Sequence, residues 1–211
     1  MNKQNLKKLI MNGVVLILLS FFLLTTCSLE GDLENVRIKA GLSIKKWITH
    51  SRGNSYHTAI GSSSGNAVIF TVAQRFTPSQ LADLNVTGAK LTRISFMPNE
   101  ANATYSVRVW TGGSVSGGGV YNPGTLVYSG AVLSGSSLRL RSWNDVTLTT
   151  PVTIPSNQEL WIGYHINTQG GYPAGADVGP RVEGFGDVIL WNNVWTTMTP
   201  NYNWMLRGFT E

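Results

Sequence analysis

Residues 159–168, ELWIGYHINT, decide the fold. Leu160, Ile162, Tyr164 and Ile166 fall on one face of an extended chain, and Trp161, Gly163, His165 and Asn167 on the other. Alternation this strict is the pattern of a β-strand with one face in a core. A strand needs partners, so the rest of the chain is read for segments that can pair with it.

Upstream, residues 66–76 (NAVIFTVAQRF) read as a strand. Thr77-Pro78-Ser79-Gln80 follows: a threonine cap, a proline suited to the first helical position, and a glutamine three residues after the cap. Leu81 and Leu84 then mark a short helix that ends near residues 85–88, the one good helix signal downstream of the leader. Residues 90–97 form the next strand, with Leu91 out of phase with Ile94 and Phe96, as a bulge would make it. After a PNEANA turn, residues 104–111 place Tyr105, Val107 and Val109 inward and Trp110 on the opposite face. Residues 112–124, GGSVSGGGVYNPG, are expected to be a flexible connection without regular structure. Short strands follow at 126–128, 138–140 and 143–148, and Pro151 and Pro155 confine residues 152–154 to an edge or a loop.

Beyond the central strand, residues 168–187 read as a glycine-rich loop. Residues 188–191 and 194–198 form a tight hairpin around Asn192-Asn193, since asparagine tolerates positive φ, and residues 203–209 close the domain. About nine or ten short strands without a βαβ rhythm predict an all-β fold, an antiparallel β-sandwich of jelly-roll type with one short helix.

Charge is unevenly placed. Lys3, Lys7 and Lys8 sit at the start, residues 28–53 hold a further basic excess, and from residue 54 on basic and acidic side chains balance. The net charge of +5 therefore belongs to the leader and spacer, and the domain lacks the basic footprint of a nucleic-acid binder. Cys27 is the single cysteine, so no intrachain disulfide forms. Seven Trp, seven Tyr and seven Phe supply core material in its place. The basic start and the apolar run of residues 13–24 have the length of a signal peptide rather than of a membrane span. The organisation expected is a signal peptide over residues 1–26, a tether over 27–54 and the sandwich over 55–211. Within the tether, Ile44, Trp47 and Ile48 are apolar residues that touch the domain or a membrane surface.

Two resemblances extend this reading. Leu24-Thr25-Thr26-Cys27 resembles the lipobox of bacterial lipoproteins, with threonine at Thr26 where glycine, alanine or serine is usual. It implies acylation at Cys27 and anchoring to a membrane, and Ser28 behind it points to an outer-membrane or surface address. The succession AQRFTPSQLADL, KLTRISFMPNEANATYSVRVWTGG, GTLVYSG, WNDVTLTTPVTIPSNQELWIGYHIN, GYPAGADVGPRVEGFGDVILW and NYNWMLRGF, over residues 73–209, resembles β-sandwich modules in secreted adhesins and proteases of anaerobic Gram-negative bacteria, of the gingipain cleaved-adhesin kind. The resemblance implies a non-catalytic binding or adhesion module.

The residues themselves offer little catalysis. His50, His57 and His165 are the only histidines, and nothing resembles a nucleophile elbow or a zinc motif. Asp177, Glu183 and Asp187 share the glycine-rich loop, where carboxylates and backbone carbonyls together suit a structural Ca²⁺, with Asn99 and Glu100 as further oxygen donors. Aromatic rings stack on the apolar face of a sugar. Trp110, Trp161, Tyr172 and Trp191 are the leading candidates, with Trp143 and Trp195 behind them, and Trp110 and Trp161 are out of phase with the inward residues. The function expected is a surface-anchored lipoprotein whose module binds a glycan or a host or envelope protein. The alternative is a structural lipoprotein that packs against another envelope protein, and a hydrolase is a distant third.

Overall fold

The structure, a computed structural model, describes residues 45–62, 66–117 and 119–211. They belong to one compact unit that begins at Ile44 and ends at Glu211. The apolar run of residues 13–24, Cys27 and the first part of the tether lie outside the described residues.

Among the described residues thirteen strands form: β1 (Lys46–Ile48), β2 (Thr58–Ser62), β3 (Val68–Phe76), β4 (Lys90–Phe96), β5 (Ala103–Ser116), β6 (Val120–Ser129), β7 (Leu133–Ser134), β8 (Asn144–Thr153), β9 (Leu160–Thr168), β10 (Gly171–Ala176), β11 (Val188–Trp191), β12 (Val194–Thr197) and β13 (Leu206–Thr210). One sheet runs β1-β13-β4-β8. The other runs β12-β11-β3-β9-β5-β6, with β7 added to β5, and β2 pairs separately with β10. All the ladders are antiparallel. Take β1, β3, β4, β5, β6, β8, β9 and β13 as eight strands in chain order. The two sheets then read 1-8-3-6 and 2-7-4-5, the interleaving of two Greek keys that defines a jelly roll.

β9 is central, as its alternation requires. It pairs with β3 on one side and β5 on the other, so that Val72, Tyr164 and Val107 stand in line. Leu160, Ile162, Tyr164 and Ile166 are fully buried between the sheets, where Phe96 of the opposite sheet stacks on Tyr164 at 4.5 Å between centroids. The helix α1 (Pro78–Asp83) forms where expected. Gln80 N–H donates to Thr77 Oγ1 at 3.3 Å, and Thr77 N–H donates to Gln80 Oε1 at 2.9 Å. β4 carries its bulge between Leu91 and Arg93, Pro151 lies in β8 at the sheet edge, and Asn192 and Asn193 turn the β11–β12 hairpin at φ 49° and 62°.

Four expectations are corrected. Residues 112–124 are not a loose connection. β5 continues to Ser116 and β6 begins at Val120, with Gly112 opposite Gly124 and Ser114 opposite Asn122. Backbone pairing holds a strand whose small side chains leave no hydrophobic period. Gly113 is needed there, because a Cβ would come within 2.5 Å of Trp161 Nε1. Residues 168–187 are likewise not all loop, since β10 pairs with β2 within them. Residues 138–140 are not a strand; they follow a short 3₁₀ turn, Gly135–Ser137, and enter the turn before β8. The folded unit also reaches back into the expected tether. β1 adds to the edge of the first sheet with Trp47 opposite Phe209, and Ile48 is fully buried.

Candidate functional site

The segment before β2 and the turn before β8 face each other across an open groove of about 540 Å³. Asn54, Ser55 and Tyr56 line one side, Arg141, Ser142 and Trp143 the other, and Met97 its floor. The lining combines two aromatic rings, a guanidinium, an amide, three hydroxyls and a thioether. The guanidinium carbon of Arg141 lies 5.5 Å from the centroid of the Tyr56 ring, within cation–π range.

Each wall is held by a buried polar side chain. Asp177, fully buried at the end of β10, accepts four hydrogen bonds: from Arg52 N–H, from Gly179 N–H at 2.9 Å, and from Asn203 N–H at 2.7 Å and Nδ2 at 3.0 Å. Asn203 in turn donates to Pro180 O and accepts from Val182 N–H. This network fixes the chain two residues before Asn54, and His57 N–H donates to Ala176 O two residues beyond Ser55. On the opposite wall Asn144 closes the turn on itself. Its Oδ1 accepts from Arg139 N–H, and its Nδ2 donates to Arg139 O and Ser142 O, at 2.8–2.9 Å. Arg141 N–H donates to Pro98 O at 2.7 Å, and its residue takes φ 55°, which turns the chain back on itself. Asn99 ties the two walls together. Its Oδ1 accepts from Tyr56 Oη at 3.0 Å and Arg141 Nε at 2.8 Å, while its Nδ2 donates to Tyr172 O at 2.8 Å.

Trp143 also belongs to a second arrangement, on the outer face of the β1-β13-β4-β8 sheet. The Arg207 guanidinium lies 4.0 Å from the Trp47 ring centroid and 4.1 Å from that of Trp143. Arg93 sits 4.4 Å from the Phe209 centroid and 5.5 Å from Trp47, and its Nη1 is 3.2 Å from Asp145 Oδ2. The register explains the row, since Trp47 is opposite Phe209 and Phe209 opposite Arg93.

The aromatic candidates from the sequence scatter. Trp110 and Trp161 do lie on the outer face of their sheet, as their phase requires, but neither is open to a ligand. Trp161 is fully buried and Trp110 6% exposed. With Ala73, Val188, Tyr121 and Trp195 they form a second apolar layer, the Trp161 and Trp195 rings meeting edge to face at 5.6 Å. Trp161 Nε1 donates to Glu159 Oε2 at 2.9 Å, and Glu159 is also held by Arg75 through both guanidinium nitrogens that face it. Trp191 is half-buried against Phe70 and lines a smaller hollow of about 260 Å³ with Ile60, Ile189, Met198 and Pro200, a lining without charge. Tyr172 is exposed, as expected, and reaches the groove only through its backbone bond to Asn99. The residues that do line the groove include Trp143, a lesser candidate, and Tyr56, which sequence reasoning missed. Its signal was an aromatic ring inside a polar run, RGNSYH, that straddles the expected end of the tether at residue 54 and was assigned to no strand.

The acids expected to hold Ca²⁺ are not brought together. Asp177 is saturated by hydrogen bonds from N–H groups, and the side chain of Glu183 is exposed and paired with Arg181 at 2.8 Å. Asp187 is buried, with Oδ1 accepting from Gly184 N–H at 2.7 Å and Oδ2 3.7 Å from Arg181 Nη1. Burial pushes its carboxyl up to about 6. Asn99 and Glu100 are likewise occupied, Glu100 Oε1 accepting from Tyr172 N–H. Among the described residues no group of three or more His, Cys, Asp and Glu side chains is placed to share a metal ion.

The histidines are also apart. His50 Nε2 donates to Arg75 O at 2.8 Å while its ring stacks on Phe76, and burial lowers it to about 4. His165 Nδ1 shares a hydrogen bond with Thr71 Oγ1 at 2.9 Å, and burial also lowers it. His57 lies against Tyr202. Among the described residues none of the three is hydrogen-bonded to a carboxylate.

No family model matches the chain. No curated protein matches it either. Among solved structures it is similar to chains from the Gx and Gt strains of infectious bursal disease virus, at 11% identity in both cases. The alignments cover 80% of this chain with TM-scores of 0.29 and 0.26. They span 39% and 41% of the viral chains, so this chain corresponds to about two-fifths of their length.

Proposed function

We propose that this chain is a lipid-anchored, non-catalytic binding module of the bacterial outer membrane that takes a glycan in the groove between Tyr56 and Trp143. The observation that carries the reading is the lining itself. A sugar ring has an apolar face for an aromatic ring and a polar rim for amides, hydroxyls and guanidinium groups, and the groove supplies both kinds. Its openness suits a chain end or a run of sugars passing through. The hydrogen bonds that Asp177, Asn144 and Asn99 accept hold its walls before any ligand arrives, and a preformed site spares a ligand the cost of ordering loops.

Anchoring through Cys27 fits this role, because two or three acyl chains keep a protein on a membrane where one does not. Replacement of Cys27 by serine is expected to release the chain to the soluble fraction and abolish labelling by a fatty-acid analogue. The binding test is a glycan array probed with the full-length chain in detergent, with Tyr56→Ala alongside. Binding lost in that variant at unchanged melting temperature supports the reading. A blank array from a folded sample overturns it in favour of a protein partner in the envelope.

A further inference from the structure

We propose that the groove and the outer sheet face beside it select anionic sugars, glycans that carry carboxylate or sulfate groups. The inference rests on the reading of the groove as a glycan site and adds the class of glycan. It comes from the distribution of charge. From residue 54 on the chain is neutral overall, yet Arg93, Arg139, Arg141 and Arg207 gather around one feature. Arg141 lines the groove. Arg139, exposed in the same turn, donates through Nη2 to the carbonyl of Trp143 at 3.1 Å. Arg207 is held between the rings of Trp47 and Trp143. Arg93 lies in the same row and is the one paired with a carboxylate, Asp145, at 3.2 Å. Glu100 stands near, but its carboxylate is turned to the backbone of Tyr172.

Elsewhere two arginines are held by carboxylates, while Arg52 and Arg108 form no ion pair among the described residues. Arg75 is bound to Glu159, and Arg181 lies between Glu183 and Asp187. Among the described residues Arg139, Arg141 and Arg207 form no ion pair. Arg207 is the most constrained of them. Two indole faces fix its plane, and its Nε is buried without a hydrogen-bond partner among the described residues. A guanidinium fixed in this way loses little freedom on binding and offers a planar fork that matches carboxylate and sulfate oxygens. Trp143 joins the two parts, since its ring lies on Arg207 and also lines the groove. A sugar stacked there sets its acidic substituent beside Arg141 on one side and toward the arginine row on the other. A nucleic acid is the weaker fit, because its affinity comes from many phosphate contacts along a basic track, and the domain carries no such track.

The test uses the full-length chain in detergent and four probes in titrations: a hexamer of galacturonic acid, the same hexamer methyl-esterified, a heparin hexasaccharide, and a single-stranded oligonucleotide. The expected result is that the acid hexamer or the heparin fragment binds at least tenfold more tightly than the ester at 50 mM salt. The advantage should shrink at 500 mM salt, and Arg141→Gln should lower the acid's affinity about tenfold more than the ester's. Whichever anionic probe binds more tightly identifies carboxylate or sulfate as the substituent. Affinity for the ester equal to that for both anionic sugars overturns the anionic preference and leaves the glycan reading standing. Tightest binding to the oligonucleotide overturns the preference for sugars, and no binding by any sugar probe overturns both readings. Arg141 is exposed and Asn99 keeps its bond from Tyr56 in the variant, so an unchanged melting temperature separates lost binding from lost folding.

Discussion

Replacement of Asp177 by asparagine tests whether the groove wall is held by a carboxylate acting as a staple. In the native chain each carboxylate oxygen accepts two hydrogen bonds, Oδ1 from Gly179 N–H and Asn203 N–H and Oδ2 from Arg52 N–H and Asn203 Nδ2. An asparagine keeps one oxygen and turns an NH₂ group toward the two donors that faced the other. Asn203 cannot relieve this by flipping its amide, because its own Oδ1 is bound to Val182 N–H. Two hydrogen bonds to a charged acceptor are lost, at roughly 1.5–3 kcal/mol each, so the variant should be less stable by about 3–6 kcal/mol. That is a large share of the 5–15 kcal/mol typical of a domain. Urea unfolding followed by tryptophan fluorescence measures it. The same substitution frees the segment ahead of Asn54 and should weaken binding in the groove even where the domain remains folded. A loss below about 1 kcal/mol would refute the assignment of Asp177 as the staple. A melting temperature that rises with Ca²⁺ and falls with chelator would restore the metal role expected from the sequence.

Other outcomes follow from the same network of contacts. Glu159→Ala leaves Arg75 and the indole N–H of Trp161 without their nearly buried acceptor and should cost about 3–5 kcal/mol in urea unfolding. Gly113→Ala drives a methyl against Trp161 Nε1 and Asn122 O and should destabilise by about 1–3 kcal/mol, with a change in tryptophan emission. For pH, His50 accepts a proton at 6.5 when unfolded but only near 4 when folded, so its contribution to stability is lost as pH falls through that window. Asp187 loses its proton at 3.8 when unfolded and near 6 when folded, so its contribution is lost as pH rises. The two slopes oppose between pH 4 and 6, and Asp187→Asn should expose the His50 slope, a fall of about 3 kcal/mol from pH 6.5 to 4. Stability of that variant that stays level over this range would contradict the burial of a neutral His50.

The jelly roll was legible because its inner strands alternate. Residues 160–166 carry the period in full, and Thr77 with Gln80 announces the helix by a cap whose atoms meet as expected. What the sequence hid was structure held by backbone alone. The Gly-Ser end of the β5–β6 hairpin and the β2–β10 pair have small or irregular side chains, so no period marks them. The outer-face aromatics misled for a related reason. Phase in a strand tells which face a side chain takes, and not whether something covers that face. Trp161 is out of phase with the core and still fully buried, because Tyr121 of β6 and Trp195 of β12 pack against it from either side of the sheet's central strands. The groove was out of reach because its walls come from turns far apart in sequence, joined by Asn99, whose side chain was read as a metal donor. Asp177 misled in the same way, since a carboxylate in a glycine-rich loop serves backbone N–H groups as readily as a cation.

The most direct test of the groove as the ligand site is a titration of the full-length chain in detergent with the galacturonic acid hexamer, read by the NMR signals of the tryptophan indoles and arginine Nε–H groups. Shifts confined to Trp143, Arg141 and their stacked neighbours Arg207 and Trp47, with Trp110, Trp161 and Trp191 unmoved, are the result predicted. Shifts centred on Trp191 and its apolar hollow, with Trp143 and Arg141 silent, would contradict the account.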